Sequence, residues 1–300
     1  MNDLKKIIEK YKFHIYGIKE KGNVKIIDTN KGKYVLKKKK RDDLKDIFKY
    51  LNGKQFSNFV NTISDEEDEY DIYPFLEDNY LTEEEKILEI AHLMSYLHNK
   101  TTTYRKVHID DIKKFYEQEL EKVNYFEQYY ESLRIQMEEE YFLSPSKYLF
   151  LRNYSFYFQA IYYAKNYLEK WYEIVKRKES RRVVLTHNQL DTSHLLENNI
   201  PYIISWEKAK INMPLYDFYS FYNNNYQKID MREMFSIYNA RYELLEEEKY
   251  LLFYQLLLPK KIEWHEKEIE NVKIIYENQK YLKKTFEFIL EKNSKYSKSK

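Results

Sequence analysis

The apolar positions follow two different rhythms along the chain. From Phe13 to Leu76 they come in short alternating runs, broken by glycine, asparagine and aspartate, which is the pattern of strands and tight turns. Phe13, Ile15 and Ile18 lead. Val24-Lys25-Ile26-Ile27 and Tyr34-Val35-Leu36-Lys37 follow, joined by the turn Asp28-Thr29-Asn30-Lys31-Gly32. A short helix is predicted next, with Asp42 or Asp43 as cap, Leu44, Ile47, Phe48 and Leu51 on one face, and Asn52-Gly53 as its stop. Phe56 to Ile63, an acidic turn at 65–69 and Tyr70-Asp71-Ile72-Tyr73-Pro74-Phe75-Leu76 complete a small antiparallel sheet with one inserted helix.

Beyond Glu77 the period becomes helical. Thr82 and Glu85 form a capping box ahead of Ile87, Ile90, Ala91, Met94 and Leu97. Long amphipathic stretches follow at 109–140, 146–179, 214–246 and 262–291. One β segment interrupts them at 183–207: Val183-Val184-Leu185-Thr186, a polar loop, Leu195-Leu196, a turn at Asn198-Asn199, then Tyr202-Ile203-Ile204. This predicts an α+β chain of two lobes. A β lobe spans 1–77, a helical lobe with one embedded hairpin spans 78–293, and a frayed basic tail spans 294–300.

Composition narrows the chemistry. The 43% apolar and 33% charged residues support a core and a solvated surface, and 51 Lys plus Arg against 49 Asp plus Glu leave a formal +2. That balance argues against wholesale recruitment to nucleic acid or anionic membrane. The absence of cysteine excludes disulfides, thiolate metal sites and thiol catalysis. No run approaches the length of a membrane span, so the expected setting is the cytoplasm. The 33 tyrosines and 17 phenylalanines, alongside abundant Lys, Ile and Asn, fit AT-rich codons better than a special aromatic function. The 4 glycines all lie in the first 53 residues, so a phosphate-cradling glycine loop must lie there or be absent. Gly17-Ile-Lys-Glu-Lys-Gly22 is a poor version of one.

The embedded β segment carries the chemistry. His187-Asn188-Gln189-Leu190-Asp191-Thr192-Ser193-His194 keeps the frame of the kinase catalytic loop, in which His-Arg-Asp-Leu and three variable residues precede Asn. Tyr202-Ile203-Ile204-Ser205-Trp206-Glu207 stands where a kinase has its metal-binding Asp motif, and Pro214-Leu215-Tyr216-Asp217 opens the next helix. Together with Gly32-Lys33-Tyr34-Val35-Leu36-Lys37, these stretches resemble the aminoglycoside/choline phosphotransferase branch of the protein-kinase-like superfamily. They are most similar to its bacterial spore-coat-associated members. The resemblance implies a bilobal kinase-like fold, Lys37 as the phosphate-pairing cation, His187 as a residue of loop architecture and Asp217 as a structural carboxylate. ATP and Mg²⁺ are the implied cofactors if any activity is retained.

The same resemblance exposes substitutions at the chemical positions. The base position is Gln189, which cannot accept a proton near neutral pH. The two family metal positions are His194, a nitrogen ligand ill-matched to Mg²⁺, and Ser205, which is neutral. Loss of a general base alone costs on the order of 10²–10⁴ in rate. The leading expectation is therefore a catalytically impaired, binding or scaffolding member of the superfamily, with a spore-coat component among its candidate partners. The alternative is an active small-molecule phosphotransferase with Asp191 as substitute base or Glu207 as remaining metal ligand. A polyanion binder using 37–41 and 177–182 ranks last. The acidic partner of Lys37 stays open among Asp42, Asp43 and Asp46.

Overall fold

The computed structural model describes residues 2–22 and 24–296. Four antiparallel strands, β1 (Ile15–Lys21), β2 (Val24–Thr29), β3 (Gly32–Lys38) and β4 (Tyr70–Pro74), form the first sheet in that order. The β2–β3 turn closes with Thr29 opposite Gly32, whose φ of 109° only glycine adopts without strain. Strand alternation then sorts the faces. Ile27, Leu36 and Ile72 are fully buried on one side, beneath Ile7 of helix α1 (Asn2–Tyr11) and Phe13. Val35 and Lys37 point the other way, toward the second lobe.

Helix α2 (Leu44–Gly53) buries the predicted face of Leu44, Ile47, Phe48 and Leu51. At roughly 1.5–3 kcal/mol for each large side chain, this face fixes where the helix sits. It packs into the larger core with Phe56, Phe59 and Trp206, rather than under the sheet. Asp43 occupies the cap position but makes no capping bond, because its carboxylate is taken by Arg41. The segment 56–63 departs from the expected strand. Its aromatics turn down onto Trp206, with ring centroids 6.1 Å (Phe56) and 6.4 Å (Phe59) away. Ile203 N–H therefore donates to the Asn58 carbonyl at 2.8 Å, and Phe59 forms an isolated bridge with Ile203.

The second lobe begins with α3 (Glu83–Thr101), entered through the predicted box: Glu85 N–H donates to Thr82 Oγ1 at 3.2 Å, and Thr82 N–H to Glu85 Oε2 at 2.8 Å. β5 (Thr103–Lys106) and α4 (Ile109–Glu138) follow. The amphipathic stretch at 146–179 holds two helices, α5 (Pro145–Arg152) and α6 (Tyr154–Val175), broken where Asn153 leaves helical geometry at φ −115° and ψ 14°. After β6 (Ser180–Thr186), β7 (Leu195–Asn198), β8 (Ile200–Ile203) and β9 (Lys210–Asn212) come α7 (Leu215–Asn225), α8 (Met231–Arg241), α9 (Glu246–Leu257) and α10 (Glu268–Tyr296). The last residues of the expected tail, 297–300, lie outside the described residues. No helix among the described residues is long and apolar enough to cross a membrane.

The embedded β segment is richer than a lone hairpin. β7 and β8 make the hairpin, turning at Asn199 with φ 58°. β6 instead belongs to a separate three-stranded sheet, ordered β5-β6-β9. The polar loop 187–194 thus leaves the end of one sheet and enters another, so both of its ends are fixed. The result is the bilobal α+β architecture expected from the sequence.

Candidate functional site

Three of the sequence-selected residues meet where the lobes face each other. Lys37, projecting from β3, donates to Ser205 Oγ at 2.7 Å and reaches Glu207 Oε1 at 3.3 Å. The two side chains of the ion pair are only 20% and 17% exposed, so water screens it weakly. Burial would raise the Glu207 carboxyl, but the Lys37 charge and hydrogen bond hold it below its ordinary value. None of Asp42, Asp43 and Asp46 pairs with Lys37. Asp42 and Asp46 are exposed, and Asp43 is bound by Arg41. The acidic partner comes from the turn after β8, 170 residues away, a separation at which no local pattern operates.

That turn is held in an unusual conformation. Ser205 has φ 69° and ψ 55°, the left-handed region, which costs a non-glycine residue roughly 1–2 kcal/mol. Its neighbours hold it there. Trp206 is buried and its indole N–H donates to the Ile203 carbonyl at 2.8 Å. Arg41 Nη1 donates to the carbonyls of Ala209 at 2.7 Å and Glu207 at 3.3 Å. Arg41 was hidden in the basic run 37–41. Its place just past the end of β3 was the only available sign that it would turn inward.

The loop 187–194 is tethered from below. Asp217, at the start of α7 and wholly buried, accepts from Asn188 N–H at 2.6 Å and His187 N–H at 2.8 Å. Its Oδ2 also accepts from His98 Nε2 at 3.1 Å, and His98 Nδ1 shares a hydrogen bond with the Tyr238 hydroxyl at 2.7 Å. Sequence reasoning gives His98 no site role, although its spacing from Ile87, Ala91 and Met94 already puts it on the buried stripe of α3. His187 is fully buried, and its Nε2 donates to the Ile204 carbonyl at 2.9 Å, tying the loop to the turn that carries Ser205. Burial pushes the His187 imidazole down to about 4, so it is neutral at pH 7.

The remaining loop residues diverge. Gln189 is exposed, and its main chain receives the His194 ring. His194 is half-buried beside His187, with ring centroids 5.3 Å apart. Burial lowers its pKa, and its Nδ1 has no partner. Asp191 turns toward α7, where Asn225 Nδ2 donates to it at 3.3 Å. Among the described residues no hydrogen bond or ion pair joins Asp191 to Lys37, Ser205 or Glu207.

A cavity of about 180 Å³ opens beside this constellation. Its walls are apolar: Val35 and Tyr73 from the sheet, Phe75 and Leu76 from the chain leaving it, Leu196 and Ile204 from the second lobe, with Lys37 and Ser205 at one end. It is smaller than the roughly 300–1,000 Å³ of sites that engulf a whole ligand. A larger cavity of about 820 Å³ lies between α4, α6, α9 and the far end of β6, away from Lys37, Ser205 and Glu207, and Arg182 and Glu248 are among the residues that line it. Those two form a buried ion pair, and the Arg182 guanidinium stacks 4.4 Å from the Tyr242 ring. Arg182 is thus an internal structural cation.

No family model and no curated protein matches the sequence. Solved structures do match the chain. The aminoglycoside phosphotransferase of Alicyclobacillus acidocaldarius superposes with a TM-score of 0.66 at 12% identity, covering 94% of this chain and 92% of that one. The fold is that of the kinase-like phosphotransferases. Spectinomycin phosphotransferase APH(9)-Ia in its AMP-bound complex matches with a TM-score of 0.52 at 17% identity, over 94% of this chain and 98% of that one. LicA in complex with AMP gives 0.50 at 15%, over 93% and 97%. Within this kinase-like fold, nucleotide and Mg²⁺ are the expected occupants of the interlobe cleft. The apolar cavity with a cation at its end suits a nucleotide base and its first phosphate. The metal does not fit. Among the described residues no group of three His, Asp or Glu side chains could hold one; Glu207 is engaged by Lys37, and Asp71, across the strand from Lys37, is buried and pushed up by that burial toward its neutral form. Mg²⁺ asks for an octahedron of oxygens, whereas Ser205 and His194 supply a hydroxyl and a nitrogen.

Proposed function

We propose that this chain is a catalytically impaired kinase-like protein whose interlobe cleft binds a nucleotide-like ligand without transferring its phosphate. The supporting observation is the closed contact of Lys37 with Ser205 and Glu207, in a cleft where the described residues form no metal-binding cluster. Phosphoryl transfer in this fold works by placing metal ions and a proton-accepting carboxylate around the γ-phosphate. Here the base position carries the amide of Gln189. The nearest acidic side chain on the loop, Asp191, is tied to Asn225. The loop scaffold built from His187, Asp217 and His98 is intact, which fits a protein that keeps the shape of the cleft while its reactive groups have changed. A binding or scaffolding role follows, in keeping with the likeness to spore-coat-associated members noted from sequence.

The test is ATP turnover with Mg²⁺ against a panel of aminoglycosides, spectinomycin and amino alcohols, read as ADP release and as phosphorylated product. The expected result is no product above an Asp191→Ala, Glu207→Gln double variant. Product formation that disappears in Asp191→Ala would establish the active phosphotransferase instead.

A further inference from the structure

The substitution at Ser205 changes more than a metal ligand. A carboxylate at this position can only accept hydrogen bonds and attract cations. A hydroxyl accepts one hydrogen bond and donates another. Ser205 Oγ accepts from the Lys37 ammonium at 2.7 Å, so its own proton is free to point elsewhere. Lys37 carries three N–H bonds, of which one goes to Ser205 and one to Glu207 at 3.3 Å, leaving a third. One ammonium proton and one hydroxyl proton therefore remain at the end of the cavity lined by Val35, Tyr73, Leu196 and Trp206. Two adjacent donors, one of them charged, suit a bare phosphate oxygen.

A Mg²⁺-bound phosphate meets the opposite situation. The metal would bring two positive charges toward an ammonium. Its own coordination would have to come from Glu207 or from Asp71, the buried carboxylate across the strand from Lys37, and drawing Glu207 off Lys37 breaks the ion pair of a largely buried cation. The loop offers no replacement, since Asp191 faces Asn225 and His194 presents a half-buried nitrogen.

We propose that the cleft selects the metal-free form of a nucleotide, its base in the apolar cavity and its first phosphate on the remaining protons of Lys37 and Ser205, and discriminates against the Mg²⁺ complex. This rests on the reading above that the cleft binds a nucleotide-like ligand. It adds that the exchange of carboxylate for hydroxyl converted a metal site into a direct phosphate site. Ser205→Asp should then reverse the preference. The substitution is compatible with the backbone, because Asp is among the few residues that enter the left-handed region readily.

The experiment is calorimetric titration of the full chain with adenosine, AMP and ADP, each in EDTA and in excess Mg²⁺. ADP should bind at least as tightly in EDTA as in Mg²⁺, and about tenfold more tightly than adenosine. Lys37→Met should abolish the difference between ADP and adenosine, and Ser205→Ala should reduce it several-fold. Ser205→Asp should bind ADP more tightly with Mg²⁺ than without. Urea midpoints establish that each variant is folded. Tightening of wild-type ADP binding by Mg²⁺ of tenfold or more would overturn the proposal, as would equal affinities for adenosine and ADP. Either result would leave the non-catalytic binding role standing. Failure of all three ligands to bind the folded wild type would instead remove that role, and this inference with it.

Discussion

The Lys37 ammonium donates to the Ser205 hydroxyl at 2.7 Å, joining a β-lobe strand to a turn 168 residues further along the chain. Glu207 sits on the same turn and neutralises the cation. Arg41 holds that turn from the other side through the Glu207 and Ala209 carbonyls. The two lobes are therefore clasped by two basic residues of the first lobe, gripping two polar side chains and a carbonyl pair on one left-handed turn. Under the nucleotide binding proposed above, folding and ligand binding would draw on these same side chains.

Removal of one partner should show that cost directly. Lys37→Met leaves Glu207 mostly buried without its cation and should destabilise the protein by about 1–3 kcal/mol in urea unfolding. Glu207→Gln alone strands the cation, with a similar loss. The double variant leaves neither charge unpaired, and its loss should be clearly less than the sum of the singles. Strict additivity in this cycle would mean that the pair is solvated and not the clasp described.

Asp217 is the second point on which the site depends. Its carboxylate is the acceptor for two main-chain N–H groups and one imidazole N–H, all in a buried setting. Asp217→Ala leaves those donors without a partner, and each buried unsatisfied donor costs about 1–3 kcal/mol. The expected loss is about 3–5 kcal/mol by chemical unfolding, whereas Asp217→Asn, which keeps one oxygen acceptor, should lose less. A change in Asp217→Ala below about 1 kcal/mol would show that the loop is held by something else.

Arg182 separates structural from ligand-binding cations. It lies in the basic stretch 177–182 that a charge-based reading assigns to polyanion contact, yet its guanidinium is paired with Glu248, and the two side chains are 11% and 4% exposed. Arg182→Met should therefore destabilise the chain by about 3–5 kcal/mol. Its affinity for adenosine in the cleft should stay unchanged, as measured by calorimetry on the folded variant. A change in that affinity without loss of stability would contradict the assignment.

The legible parts of this molecule are those set by local periodicity and by a fixed-length motif. Alternation from Val24 to Lys37 placed Lys37 on the face opposite Leu36, and the Thr82–Glu85 box located the start of α3. The spacing from His187 to His194 delimited the loop. The misreadings arose where long-range contacts decide. Phe56 to Ile63 has a strand's composition, but Trp206 draws its aromatics away from the sheet. Lys37 had three nearby aspartates and chose a glutamate far along the chain. Arg41 and His98 carried no motif at all. Their importance comes from burial against residues 207–209 and 217, which only the folded chain brings together.

His187 makes the site sensitive to acid, with a sign fixed by its burial. Its imidazole is pushed from the ordinary 6.5 down to about 4 in the folded protein. Between those two values the unfolded chain binds a proton that the folded chain refuses, so stability falls as the pH falls. Above pH 6.5 neither state is protonated and the effect vanishes. Below about 4 both are, and the loss levels off. At 1.36 kcal/mol per unit the whole window is worth about 3 kcal/mol. His187→Gln keeps a donor that can reach the Ile204 carbonyl but does not titrate. Between pH 7 and about 4.5 the wild type should therefore lose about 2–3 kcal/mol more than the Gln variant in urea unfolding. His194 has a pKa lowered in the same direction, but it is present in both proteins and cancels in the comparison. Parallel pH profiles for the two proteins would show that the ring between the loop and the Ser205 turn is free to take up a proton in the folded state, and that the loop is not sealed as described.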